Sequence, residues 1–414
     1  MGSRSAGRRS PIPRGAVAYS LTLGSTSTAP GTQVTVTVSE GTKASATITL
    51  TLLGSNVFVV GGNGQGQAGL ATTSRNASSP TVAVAERTAP AFPAKASDVV
   101  SAATFSIALL ADGTVWTVGD NTSGQLGDGT TTSRRTWAKV DGVANATQIA
   151  AGGKTAYALL SDGTVRAWGD NTAGQIGDGT TTARATPATV SGITAASAIA
   201  AGETSAYAVL ASGTISAWGG NTVGQLGNGT TTSALSPVMV SGVTSAKQVA
   251  ASLTSAYALL TSGKVVSWGS NASGRLGTGS TTQASSTTPV SVVNLTNVTQ
   301  IAAGNGSAYA LAGGVWAWGS NSNGQLGNGS TTDSATPVSV QGYGSAQQVA
   351  ATGSTAYVAS TTGEAYGWGA NSQSQVGDGT PNQNVLNPSK VQSLPAVTRV
   401  GSGGSTGTTA FFLS

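Results

Sequence analysis

WGDNTAGQIGDGTTT, residues 168–182, decides the fold. Taken alone it reads as a loop, with four glycines, short polar residues and one aromatic. The same stretch recurs along the chain. Residues 116–132 carry WTVGDNTSGQLGDGTTT, and WGGNTVGQLGNGTTT starts at Trp218, WGSNASGRLGTGSTT at Trp268, WGSNSNGQLGNGSTT at Trp318 and WGANSQSQVGDGTPN at Trp368. A degenerate early copy, VGGNGQGQAGLATTS, starts at Val60. The asparagine keeps register at Asn63, Asn121, Asn171, Asn221, Asn271, Asn321 and Asn371, with a first interval of 58 residues and every later one of 50. A fixed period of this length marks one supersecondary unit repeated in an array or a closed ring, not a string of independent domains.

One period, residues 146–195, shows the unit. ATQIAAG (Ala146–Gly152) reads as a short strand, TAYALLSDG (Thr155–Gly163) as a second ending in a turn, and TVRAWG (Thr164–Gly169) as a third. The Gly-rich loop follows, then TPATVSG (Thr186–Gly192) as a fourth strand. Asp162-Gly163 is a hairpin dipeptide that supplies the positive φ of a tight turn. Both faces of the second strand are apolar, which predicts cover on both sides, as a blade receives from its neighbours in a ring. The Ala-rich first strands suit crowding near a central axis, and Trp168, Trp218, Trp268, Trp318 and Trp368 are placed to fill wedges between blades. Four strands per unit and seven units predict an all-β, seven-bladed β-propeller of four-stranded blades. The loop is then scaffold: its glycines supply positive φ, and its Asn and Gln satisfy covered backbone groups. It is no phosphate cradle, since the Lys-Ser/Thr end of a P-loop is missing and no helix follows.

Ala-Ala-Gly, Ala-Tyr-Ala-Leu, Asp-Gly-Thr-Val, Trp-Gly-x-Asn and Gly-Gln-Leu-Gly-Asp-Gly, spaced over one period, resemble the regulator of chromosome condensation repeat in its bacterial-type, seven-repeat form. The resemblance runs from about Asn56 to Ser414. It implies a seven-bladed propeller whose first blade is completed by the other terminus, and a role as an interaction platform; the founding member is a guanine nucleotide exchange factor that also binds chromatin. The family's repeats place His two residues before the Tyr of the second strand, whereas Thr155, Ser205, Ser255, Ser307 and Thr355 stand there in this chain, which contains no histidine. The exchange-factor role is therefore not carried over. Secreted bacterial members that inhibit β-lactamases have shorter repeats than these.

Composition narrows the function. Only 8% of the 414 residues are charged, and Cys and His are absent, which excludes disulfides, thiolate zinc sites and Cys nucleophiles. The net charge of +5 misleads, because Arg4, Arg8, Arg9 and Arg14 supply four of the 19 basic residues and the remaining 15 face 14 acids. Without a basic stripe, no nucleic-acid partner is expected. No apolar run is long enough to span a membrane. No h-region follows the basic start, so no signal peptide is visible, and a truncated start stays open. Residues 1–15 read as a basic disordered tail. Residues 16–54 hold three alternating runs, AVAYSLTL (16–23), TQVTVTVS (32–39) and SATITLTLL (45–53), resembling part of an immunoglobulin-like module of bacterial surface proteins or a small cap. Residues 55–414 form the propeller. The association of such modules with export points to an extracellular or cell-envelope location.

Candidate chemistry is sparse. Asp112, Asp120, Asp128, Asp162, Asp170 and Asp178, six of the chain's 14 acids, fall in two successive repeats. They read as turn aspartates or as a cation site or acidic patch, and no pair is singled out for acid–base work. Trp137 stands where later repeats have Pro187, Pro237, Pro289, Pro337 and Pro388, with Arg134 and Arg135 beside it. That composition predicts an exposed partner-binding hot spot. The expected function is a non-catalytic scaffold, exported or surface-associated, monomeric, without cofactor or metal, binding a protein or glycan through one face. The alternative is a propeller-type carbohydrate-active enzyme, a lyase or hydrolase, which would need Asp, Glu, Tyr and Arg clustered at the mouth of the central channel. Finally, RVGSGGSTGTTAFFLS (Arg399–Ser414) aligns with the first two strands of a unit and NVFVVGGN (Asn56–Asn63) with the third, so Val57–Val60 is expected to pair with Ala410–Leu413.

Overall fold

The computed structural model describes residues 33–38, 46–51, 56–69, 76–82, 92–380, 383–401, 403–404 and 407–414. The chain divides into two compact units at residues 54/55. In the first, Gln33–Val38 pairs antiparallel with Ala46–Thr51, Val34 opposite Leu50 and Val36 opposite Ile48. The tail and the run at 16–23 lie outside the described residues.

The second unit is a seven-bladed propeller: seven antiparallel sheets of four strands, ordered from the channel outward as first to fourth strand. In chain order of their first strands, blades 2 to 7 begin at Ala96, Ala146, Ala196, Ala246, Gln300 and Ala346. Blade 1 is composite: Arg399–Val400 and Thr409–Leu413 come from the end of the chain, Val57–Gly62 and Asn76–Val82 from its beginning. Val57 pairs with Leu413, Phe58 with Phe412, Val59 with Phe411 and Val60 with Ala410, the closure expected from the sequence.

Blade 3 shows how sequence becomes sheet. Ala146–Gly152, Thr155–Leu160, Val165–Gly169 and Arg184–Thr189 are its strands. The fourth starts two residues before its expected position and stops at Thr189, because pairing resumes beyond a bulge with Gly169 opposite Arg184. The bulge needs glycine: Gly169 has φ +109, and a Cβ there would come within 2.2 Å of the Lys154 carbonyl oxygen. The second strand is buried almost throughout on both faces, as two-sided cover requires.

The blades are joined by a repeated polar device inside an apolar wedge. Trp218 is 1% exposed and packs edge-to-face on Tyr157 of the preceding blade, with ring centroids 6.4 Å apart. The Trp218 indole N–H and the Tyr157 hydroxyl both donate to the Gln175 carbonyl, at 2.9 and 2.8 Å. Tyr207 with Trp268, Tyr257 with Trp318 and Tyr309 with Trp368 repeat the pattern. Burial pushes the Tyr157 hydroxyl far above its ordinary pKa, so it is held as a donor.

Candidate interaction surfaces

The antiparallel blades give the ring two unlike faces. The connections between first and second strands and the long Gly-rich loops share one face, where the Asp170 amide bonds the Lys154 carbonyl at 3.0 Å. The hairpin turns and the connections between blades share the other, where the Ala196 amide bonds the Gly163 carbonyl at 3.0 Å. We call them the loop face and the turn face.

On the loop face each loop is frozen by its own side chains. Asn171 is fully buried, donating to the carbonyls of Thr180 and Thr182 at 3.0 Å each and accepting from the Ile176 amide at 2.9 Å. Gln175 accepts from the Ala173 amide and donates to Asp170, both at 2.8 Å. Asn121 with Gln125 and Asn321 with Gln325 are likewise buried. The residue after the asparagine is small and exposed in blades 2 to 7 (Thr122, Thr172, Thr222, Ala272, Ser322 and Ser372), and the half-buried residue after it varies: Ser123, Ala173, Val223, Ser273, Asn323 and Gln373.

The six aspartates of blades 2 and 3 occupy three equivalent pairs of places. Asp112 and Asp162 close hairpin turns on the turn face, each accepting from the amide and hydroxyl of the Thr two residues on. Asp120 and Asp170 receive the loop Gln and a Thr hydroxyl. Asp128 and Asp178 receive Thr130 and Thr180 and are paired with Arg134 and Arg184. Among the described residues no three carboxylates gather in a group that could hold a metal ion.

The three residues expected to form an exposed hot spot do not come together, and the exposure expected of Trp137 is corrected. Trp137 is 1% exposed, edge-to-face with Phe92 at 5.4 Å and Phe411 at 6.1 Å. The reason lies in the repeat itself. In blade 2 the wedge position held by Trp168 in blade 3 is Val118, and Trp137 from the outer strand fills the vacated wedge. Its indole lies against Gly69, as the Trp218 indole lies against Gly177. Lacking the usual approach, its Nε1 has no hydrogen-bond partner. Arg134 is half-buried and tied to Asp128 and the Thr117 hydroxyl, the latter at 2.8 Å. Arg135 alone is exposed, its stem lying over Gly66 of blade 1.

The central channel carries a feature that the sequence reading missed. Equivalent positions of the first strands hold Asp98, Gln148, Ala198, Gln248, Gln300 and Gln348, and their counterpart in blade 1 is Arg399. Gln248 clamps the next blade by accepting from the Ile301 amide at 3.0 Å and donating to the Ile301 carbonyl at 2.9 Å. Gln148 does the same to Ile199, and Gln348 to Val400. At the seam an ion pair replaces the clamp: the Arg399 guanidinium donates to both Asp98 oxygens at 3.1 and 2.7 Å. The signal was available as a Gln recurring two residues before Ala-Ala. The cavity inside, about 170 Å³, is otherwise lined by Ala, Val and Ile. Across its loop-face end lie Gly403 and Gly404, bonded to blade 7 at Ala351 and to blade 2 at Ser101, with Gly404 close to Ala151 of blade 3.

A closed ring of seven four-stranded blades, locked by Tyr–Trp wedges and joined through its termini, defines a β-propeller of the repeat type anticipated from the sequence. Residues 57–409 match the RCC1-like domain family, and the chain belongs to it. The solved structure of human WBSCR16 superposes with a TM-score of 0.76 at 20% identity, covering 86% of this chain and 99% of that one. Prp20p of Saccharomyces cerevisiae gives 0.75 at 22% identity over 86% and 90% of the two chains. Yeast RCC1 (Prp20) bound to Kap60 gives 0.75 at 22% identity over 92% and 96%. No curated protein matches the sequence significantly. At these identities the likeness to solved structures is one of fold.

Proposed function

We propose that the protein is a non-catalytic interaction scaffold, exported or associated with the cell surface, that binds a protein partner through its loop face. The observation that carries this reading is the frozen loop frame, in which buried Asn and Gln fix the backbone while the half-buried residue two places after the Asn (Ser123, Ala173, Val223, Ser273, Asn323, Gln373) differs between successive blades. A preorganised surface loses little conformational entropy on association, so affinity can be set by a few side chains. Gly403 and Gly404 extend that face over part of the channel end, bonded to blades 7 and 2. Support also comes from Prp20p, a structural neighbour described by its binding to Gsp1p and histones.

The channel supports binding over catalysis. Among the described residues lining it, Asp98 is the one carboxylate and is held bidentately by Arg399. Gln148, Gln248, Gln300 and Gln348 bond backbone groups of neighbouring blades, an arrangement that favours binding over lyase or hydrolase chemistry. Among the described residues no helix is long and apolar enough to cross a membrane.

The test places a photo-crosslinking residue at exposed Thr172 or Thr222 on the loop face, and at exposed Ser212 or Ser262 on the turn face. One protein crosslinked in cells from the loop-face positions alone is expected. Equal crosslinking from both faces, or release of reducing ends from a polysaccharide by the purified chain, would overturn the reading. Fractionation of cells expressing the full chain reports the location, and a purely cytoplasmic pool would remove the surface assignment.

A further inference from the structure

Blade 6 breaks the array at one place, on the turn face. Every other hairpin between second and third strands in blades 2 to 7 uses a turn such as Ser161-Asp162-Gly163-Thr164, whereas blade 6 has only Gly313-Gly314 between Ala312 and Val315. Two residues are missing. Tyr343, standing where other repeats carry Val143, Ile193, Val243, Leu295 and Leu394, fills part of the space, and its hydroxyl accepts the Val315 amide at 2.7 Å. What remains is an open pocket of about 310 Å³ between that turn and the segment Ser339–Gly344.

Trp316 forms one wall. Its counterpart in blade 2, Trp116, is 8% exposed and covered edge-to-face by Phe92 at 5.6 Å. In blade 6, among the described residues, no ring meets the indole edge-to-face; it packs at the edge of the apolar cluster that holds Leu295 and Val298, stays partly exposed and is steadied by a 3.4 Å bond from Nε1 to the Ala312 carbonyl. The rim is polar and neutral: the Ser339 hydroxyl, the Gln341 carboxamide that donates to it at 2.6 Å, and the backbone of four glycines. At Gly313, Gly342 and Gly344 a Cβ would meet nothing within 4 Å, so backbone groups are open to a ligand.

We propose that this pocket binds a neutral hexopyranose residue, free or as one unit of a glycan. A pyranose presents an apolar C–H face that stacks on an indole, and a girdle of hydroxyls that needs closely spaced neutral donors and acceptors. No charged side chain lines the pocket, which disfavours phosphate, carboxylate and ammonium ligands. The compact shape, with Trp316 its partly exposed ring and Tyr343 buried, also fits poorly with a proline-rich peptide, which needs an extended aromatic-lined groove. The site extends the scaffold reading by a second ligand class on the opposite face, and it rests on that reading only in being a binding site.

The experiment is calorimetric titration of the full chain with methyl glycosides of glucose, galactose, mannose and N-acetylglucosamine, together with affinity electrophoresis in neutral polysaccharide gels. One of these sugars is expected to bind, and Trp316→Ala to weaken it by on the order of tenfold or more. Should Trp316→Ala lower the melting temperature, the paired rim variant Ser339→Ala with Gln341→Ala provides the second arm, with the same loss expected. No binding at millimolar sugar, binding unchanged in both variants, or saturable binding of a proline-rich peptide instead would each overturn the proposal. Crosslinking from the loop face is independent of all three results, so the scaffold reading would stand or fall separately.

Discussion

At the scale of the residue, the wedge tryptophans share one environment, and one of them departs from it. Trp218 donates its indole proton to the Gln175 carbonyl, whereas Trp137, reaching the equivalent place from another strand, leaves its own proton unpartnered. A buried unpaired donor costs about 1–3 kcal/mol. Trp218→Phe is therefore expected to destabilise more than Trp137→Phe by roughly that margin, in urea melts of the two variants. Equal losses would mean that ring volume alone matters. Titration should be as regular as the packing. Hydrogen bonds from Thr114 and Thr164 hold Asp112 and Asp162 below the ordinary carboxylate range. Burial pushes Asp120, Asp128 and Asp178 up, but Thr hydrogen bonds and neighbouring cations outweigh it. Their folded pKa values lie below the unfolded value of about 3.9, so their contribution is complete above that pH and lost as pH falls through the folded values. Asp98, raised by burial despite Arg399, opposes this in part. At the other end, burial raises Tyr157, Tyr207, Tyr257, Tyr309 and Tyr357, and the stability they confer is lost as pH rises beyond about 10. With no histidine in the chain, melting temperature should be flat between about pH 5 and 9 and fall on both sides. A pronounced slope between pH 6 and 8 would contradict this.

At the scale of the element, the Gln clamps tie innermost strands of successive blades, and the tie is missing where blade 4 carries Ala198. Ala198→Gln should recreate the clamp on Val249, adding about 1 kcal/mol and raising the calorimetric melting temperature, while Gln248→Ala should lower it. A neutral Ala198→Gln with a costly Gln248→Ala would show that the vacant site is already sealed by side-chain packing. Elements were the most legible level of this sequence. The period placed nearly every strand, since Asp162-Gly163 and the two-sided apolar runs are local signals. The outer strand was displaced because a bulge at Gly169, fixed by contact with Lys154 in the turn between the first and second strands, is not local. Trp137 failed for the same kind of reason. Its intrusion at a proline position looked like surface function, although Val118, the one missing wedge residue among blades 2 to 7, stands in the same repeat. The Asp98–Arg399 pair joins positions 301 residues apart, and only the closed ring brings them together.

At the scale of the whole molecule, the ring stands on one seam. Thr409–Leu413 is the second strand of blade 1, and its alternation sends Phe411 and Phe412 to opposite sides. Phe411 enters the apolar cluster with Trp137, Phe92 and Val99, and Phe412 enters the one with Tyr357 and Val397. Tyr357 and Phe412 meet edge-to-face at 5.7 Å, so the seam keeps the aromatic half of the wedge while Val60 takes the place of its tryptophan. Ser101 adds a 2.6 Å bond to the Thr409 carbonyl, and Thr409 one of 2.7 Å to the Gly62 carbonyl. Deleting Thr408–Ser414 would remove the pairing partner of Val57–Gly61 and uncover apolar surface on blades 2 and 7 together. It would also leave strand edges open to other chains. Each large aromatic lost from such a core costs about 3–5 kcal/mol, comparable to the net stability of an ordinary domain. The truncated chain should therefore melt well below the intact one, bind a hydrophobic dye and self-associate, as calorimetry and light scattering would report. Phe411→Ala and Phe412→Ala should each reproduce part of the loss from its own side of the seam. If the truncated chain melts cooperatively at the temperature of the intact protein, the other six blades hold the ring without the seam, and the pairing of the two ends is not what keeps it closed.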